Sequence, residues 1–120
     1  MWEFNTDRPI YLQLMEHLQL LIVNGTYHPG DKLPSVRDLA QEAAVNPNTM
    51  QKALSELERS GIIYTQRTNG RFITEDATMI GQMRSQLAEE EIREFLQKMK
   101  SYGYSSEDII HLMQQQTKQK

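Results

Sequence analysis

Apolar residues recur at helical spacing in the first part of the chain. Ile10, Tyr11, Leu14, Met15, Leu18, Leu21 and Ile22 fall on one arc of about 140°, which predicts an amphipathic helix. Asp7 is its expected N-cap, with Pro9 near the first turn, where a missing N–H costs nothing. Gly25 is the expected stop. Leu12, Leu20 and Val23 lie off that arc and predict a second apolar strip on the same helix. His28-Pro29-Gly30-Asp31 reads as a turn, and Leu33, standing before Pro34, is expected to be extended. Ser35 is a helix cap with Asp38 three residues on. Val36, Leu39, Ala40 and Ala43 then give the inner face of a short second helix. Asn46 as cap and Pro47 at the first helical position open a third, which should run to about Ser60 before Gly61.

The period then changes. Ile62 to Gln66 and Arg71 to Thr74 are β-prone runs joined by Thr68-Asn69-Gly70, the strongest turn signal in the chain. From Ala77 helical spacing returns. Met79, Ile80, Met83, Leu87, Ile92, Phe95, Leu96 and Met99 recur over more than five turns, until Tyr102-Gly103-Tyr104 interrupts them. Ser105-Ser106-Glu107-Asp108 opens a last helix carrying Ile109, Ile110, Leu112 and Met113. The tail from Gln114 to Lys120 is expected to fray.

Helix, helix, tight turn, helix, hairpin is the order of a winged helix-turn-helix. The expected fold is mainly α with a small β-hairpin. Residues 1–75 form the winged domain and 76–120 a two-helix region. On the third helix, Met50, Ala53, Leu54 and Leu57 lie within about 100° of one another and mark the buried side. Asn48, Lys52, Ser55 and Arg59 share about 60° of arc on the opposite side, with Glu56 and Glu58 on the flanks. That ridge holds two cations and no acid. Asn48 and Thr49 sit in the first turn, the part of a recognition helix that reaches base edges. An asparagine amide pairs with adenine, and lysine or arginine with guanine. Arg37 opposes the dipole of the second helix, which suggests a phosphate contact. Arg67 and Arg71 flank Asn69-Gly70 as a basic wing tip.

Charge and composition refine this reading. Thirteen Lys+Arg against sixteen Asp+Glu give −3, so the chain does not coat nucleic acid by bulk charge. From Asp31 to Thr74, however, six bases face five acids, and the acidity is concentrated elsewhere, most clearly at Glu89-Glu90-Glu91. Without cysteine there is no disulfide framework, thiolate nucleophile or cysteine zinc site. His17, His28 and His111 form no metal-binding pair, and no glycine loop cradles phosphate. Neither an enzyme nor a cofactor is expected. The longest apolar run, Leu20 to Val23, is too short to span a bilayer, and Met1 to Asp7 lacks a signal-peptide pattern. A cytoplasmic location is expected.

Three segments carry a resemblance: Pro9-Ile10-Tyr11-Leu12-Gln13, the run from Gly30 to Ala40 (G-D-K-L-P-S-V-R-D-L-A), and the stretch from Asn46 to Leu54 with Glu56-Leu57-Glu58 and Gly61. They resemble the GntR family of bacterial transcription regulators over residues 8 to 74. The short helical tail, with Gly103-Tyr104-Ser105 opening its last helix, is similar to the YtrA subfamily. The resemblance implies a transcription regulator, read as a repressor, of an operon such as the ABC-transporter operons that members of that group often control. It implies backbone contacts from Ser35 and Arg37, reading by Asn48, Thr49 and Lys52, and a wing-tip glycine at Gly70. With the exposed ridge, the candidate DNA-binding residues are Lys32, Ser35 and Arg37, then Asn46, Asn48, Thr49, Gln51, Lys52 and Ser55, and on the wing Arg67, Asn69, Gly70 and Arg71.

About 45 C-terminal residues are too few to enclose a metabolite pocket of several hundred Å³. The apolar stripe from Met79 to Met99, together with Leu12, is therefore read as a homodimer interface, and the partners expected are an operator duplex and a second copy. A small-molecule effector is not identified; one would have to act at a surface or between subunits. The alternative is a winged-helix protein–protein adaptor without DNA binding. Such an adaptor needs an apolar anchor, and Asn48, Lys52, Ser55 and Arg59 supply none.

Overall fold

The computed structural model describes residues 2–118; Gln119 and Lys120, the end of the expected frayed tail, lie outside it. The elements are α1 (Ile10–Val23), α2 (Val36–Ala43), α3 (Pro47–Ser60), β1 (Ile63–Gln66), β2 (Gly70–Ile73), α4 (Ala77–Ser101) and α5 (Ser106–Thr117). They divide into two compact units, Met1–Met83 and Arg84–Lys120.

The first unit is the winged helix-turn-helix. Leu14, Leu18 and Ile22 of α1, Leu39, Ala40 and Ala43 of α2, and Met50, Ala53, Leu54 and Leu57 of α3 meet in one core, closed by Leu33, Ile62, Ile63 and Ile73. The helical period put these residues on the inner faces, and burying a side chain of Leu size contributes roughly 1.5–3 kcal/mol. The helix starts follow from their caps. Ser35 Oγ accepts from the Asp38 N–H at 3.1 Å, and Asn46 Oδ1 from the Asn48 N–H at 2.7 Å, ahead of Pro47. The turn between α2 and α3 places Ala44 in the left-handed region, at φ 58°.

Three expectations are corrected, and one is extended. Asp7 does not cap α1. The helix begins after Pro9, which makes no side-chain cap, and the preceding chain is tied down by buried Gln13. Its side chain accepts from the Asn5 N–H and donates to the Asn5 and Arg8 carbonyls. The segment before α2 is extended as expected, and it also pairs with the wing. Lys32 bridges Phe72 of β2, with Leu33 N–H on Arg71 O and Ile73 N–H on Asp31 O, both 2.8 Å. The chain from Gln114 to Thr117 is helical rather than frayed. Finally, the division between units falls inside α4 and not before it. Asp76 Oδ1 accepts from the Thr78 and Met79 N–H groups at 3.0 and 3.2 Å. That cap aims Ile80 into the core of the first unit, with Met79 and Met83 packed against it.

The second unit holds the rest of α4 and α5. Gly103 (φ 96°) allows the break between them. Ser105 and Asp108 form a complete capping box at the start of α5. Ile109 is buried, while Ile92, Phe95, Ile110 and Met113 are exposed. Among the described residues no helix is long and apolar enough to cross a membrane.

Candidate nucleic-acid interface

The reading helix is polarised as its sequence requires. Met50, Ala53, Leu54 and Leu57 are at most 1% exposed. Asn48, Gln51, Lys52, Ser55 and Arg59 are exposed, and Thr49 is half-buried. Asn46 is spent on its cap, so its side-chain oxygen already holds a helical N–H. Two ridge residues brace each other, Gln51 Nε2 donating to Ser55 Oγ at 3.2 Å. Arg59 lies 3.3 Å from Glu56, an exposed pair worth little.

Lys52 is held from another element. Its Nζ sits 4.0 Å from the centroid of the Tyr11 ring on α1. A cation over a phenol ring gains about 0.5–1 kcal/mol at an exposed site. The contact fixes where the ammonium stands on the ridge. Its only sequence signal is that Tyr11 brings an aromatic ring to the α1 apolar arc.

The wing is a two-stranded antiparallel hairpin in the register Ile63↔Ile73, Tyr64↔Phe72, Thr65↔Arg71 and Gln66↔Gly70. Arg67, Thr68 and Asn69 form the exposed tip, closed by the Asn69 N–H on Gln66 O at 3.0 Å. Gly70 takes φ 101°, and a Cβ there would lie 3.2 Å from Lys32 Cε. Glycine is thus needed for the backbone, while the exposed Lys32 side chain can shift to make room for a Cβ. A groove of about 850 Å³ opens between the wing and the start of α2, bringing together Lys32, Ser35, Asn69, Gly70 and Arg71. Arg37 stands exposed in the first turn of α2. Among the described residues Arg37 and Arg67 make no ion pair.

Arg71 differs from the other candidates. Its side chain is only 20% exposed, and its Nε donates to Glu58 Oε1 at 3.2 Å. The same carboxylate oxygen accepts from Thr65 Oγ1 at 2.7 Å. Sequence reasoning placed Glu58 on a flank of α3 and gave it no role. The pair is thirteen residues apart and meets only through the hairpin register.

Of the residues expected at an interface between copies, Ile92 and Phe95 are exposed, and Leu12, Leu87, Leu96 and Met99 are half-buried. Ile80 is 5% exposed within its own chain, and Met79 and Met83 are partly covered by the same core. The start of α4 therefore serves the first unit before it serves any partner.

Comparison with known proteins agrees with this geometry. The family model described as bacterial regulatory proteins, gntR family, matches residues 10–73. The chain is 40% identical over 108 residues to YhcF of Bacillus subtilis, an uncharacterized HTH-type transcriptional regulator, covering 90% of this chain and 89% of that one. It is 50% identical over 72 residues to the HTH-type transcriptional repressor YtrA of the same bacterium, covering 60% of this chain and 55% of that one. A GntR family transcriptional regulator from Listeria monocytogenes has a similar structure, with a TM-score of 0.88 at 41% identity over 93% of this chain and 98% of that one. The DNA-binding domain of AraR, solved in complex with operator ORR3, matches 62% of this chain and 89% of that one, with a TM-score of 0.54 at 27% identity.

Proposed function

The chain belongs to the gntR family of bacterial regulatory proteins, and on that footing we propose that it is a repressor that binds an inverted-repeat DNA operator as a homodimer. The observation that carries the reading is α3. One side is buried, and the other offers an exposed polar ridge headed by Asn48, with half-buried Thr49 beside it. Those two residues read base edges in the major groove. Gln51, Lys52 and Ser55 extend the contact, and Asn46 holds the helix start against the duplex. Arg37 and Arg67, exposed on α2 and on the wing tip, take phosphates, as do Lys32 and Ser35 at the groove between them. Repression is supported by the name of the relative YtrA, and DNA as partner by the AraR–operator complex. The YtrA-like resemblance points the targets toward a transporter operon, and a bacterial DNA-binding regulator works in the cytoplasm.

Dimerisation is supported by the second unit. Phe95 and Ile92 are 41% and 54% exposed there. Large apolar side chains gathered on so short a segment mark an interaction surface. A second copy gives the two-fold symmetry that an inverted repeat mirrors. Footprinting on the DNA upstream of the protein's own gene tests the reading. Two protected half-sites should appear, centred roughly 10 to 21 bp apart. A single asymmetric half-site bound at full affinity contradicts it.

A further inference from the structure

We propose that Glu58 is a positioning residue for DNA recognition, and that Arg71 serves as its partner in a clamp on the wing rather than as a phosphate contact. The inference rests on the DNA-binding reading above and deepens it. Glu58 Oε1 meets Thr65 Oγ1 at 2.7 Å and Arg71 Nε at 3.2 Å. Thr65 and Arg71 are cross-strand partners. One carboxylate oxygen on the reading helix therefore grips both members of one rung of the hairpin. Only the Gln66↔Gly70 rung separates that grip from the tip residues Arg67, Thr68 and Asn69. The clamp sets where the tip stands relative to the exposed ridge of α3.

The arrangement runs against simple electrostatics. A carboxylate on a DNA-reading helix repels phosphates, so its removal should strengthen binding if it has no other task. Its two cross-strand partners argue for the other task. The side chains of Glu58 and Glu56 are alike at 36% and 37% exposed, and the difference between the pairs lies in the arginine, 20% exposed for Arg71 and 78% for Arg59. A guanidinium held in this way has less to give a phosphate than the exposed Arg67.

The test compares Glu58→Gln, Arg71→Ala, the double variant and Arg67→Ala with the full-length protein, on operator and random duplexes across a salt series. Glutamine preserves shape and can still accept from Thr65 while removing the charge. The clamp predicts that Glu58→Gln and Arg71→Ala each weaken operator binding about five- to twentyfold, and that the double variant loses no more than either alone. It also predicts an unchanged salt slope for both, whereas Arg67→Ala lowers the slope by about 0.9. In the free protein, both clamp variants should speed amide exchange from Asn69 to Ile73, a readout that needs no DNA. Tighter binding by Glu58→Gln, or a slope lowered by about 0.9 in Arg71→Ala, overturns the clamp. Unchanged exchange across the wing overturns it as well. Failure of the unaltered protein to bind DNA at low salt would instead refute the DNA-binding reading, and the recognition role of the clamp with it.

Discussion

Single residues show where the fold carries strain and where it spends its polar groups. Ala44 is the one non-glycine residue at positive φ among the described residues, and it closes the turn between α2 and α3. The left-handed region costs an L-residue roughly 1–2 kcal/mol, part of which glycine returns through its looser unfolded chain. Ala44→Gly is therefore expected to stabilise the protein by about 0.5–1 kcal/mol, seen as a higher urea midpoint at an unchanged slope. A lower midpoint would mean that the freedom glycine gives the unfolded chain outweighs the strain relieved. Gln13 makes the complementary point. A buried amide among apolar neighbours is tolerated because all three of its hydrogen bonds go to the backbone of Asn5 and Arg8.

At the level of elements, caps and periods decide what a sequence discloses. The faces of α3 were legible because Met50, Ala53, Leu54 and Leu57 repeat at 3.6 residues and nothing interrupts them. The helix limits at Asn46 and Gly61 were legible from their chemistry. The bridge from Lys32 to Phe72 was not, because a single bridged residue has no alternation to display. The Glu58–Arg71 pair was hidden for a related reason, since it exists only once the hairpin register is known. Asp7 misled because a good capping residue near a proline looks the same whether or not the chain turns there. The capping box of α5 carries a pH signature. Hydrogen bonds from the Ser105 backbone and side chain hold the Asp108 carboxyl below the ordinary aspartate value of 3.8. The folded state thus favours the charged form, and the stabilisation is full above 3.8 and lost as pH falls through the lower folded value. The Asp108 carboxyl should titrate below 3.8 by NMR, with the Ser105 amide shift following it. A midpoint at or above that value would remove the capping box from the account.

For the whole molecule, two properties follow from the division of labour between the units. The first unit packs its own core and presents α3 and the wing. The second buries Ile109 yet leaves Phe95, Ile92, Ile110 and Met113 exposed. Sedimentation at micromolar concentration should return twice the 14.0 kDa chain mass. A clean monomer would remove the basis for a two-fold operator. The central claim is that the exposed ridge of α3 reads sequence. It is tested most directly by fluorescence anisotropy on the upstream duplex and on a random duplex at one fixed salt concentration, with the unaltered protein and with Asn48→Ala. The account predicts tighter binding to the upstream duplex, and a loss of about 1–3 kcal/mol on Asn48→Ala that falls mainly on that duplex, so that discrimination erodes. An Asn48→Ala protein that keeps the full ratio of upstream to random affinity would contradict it.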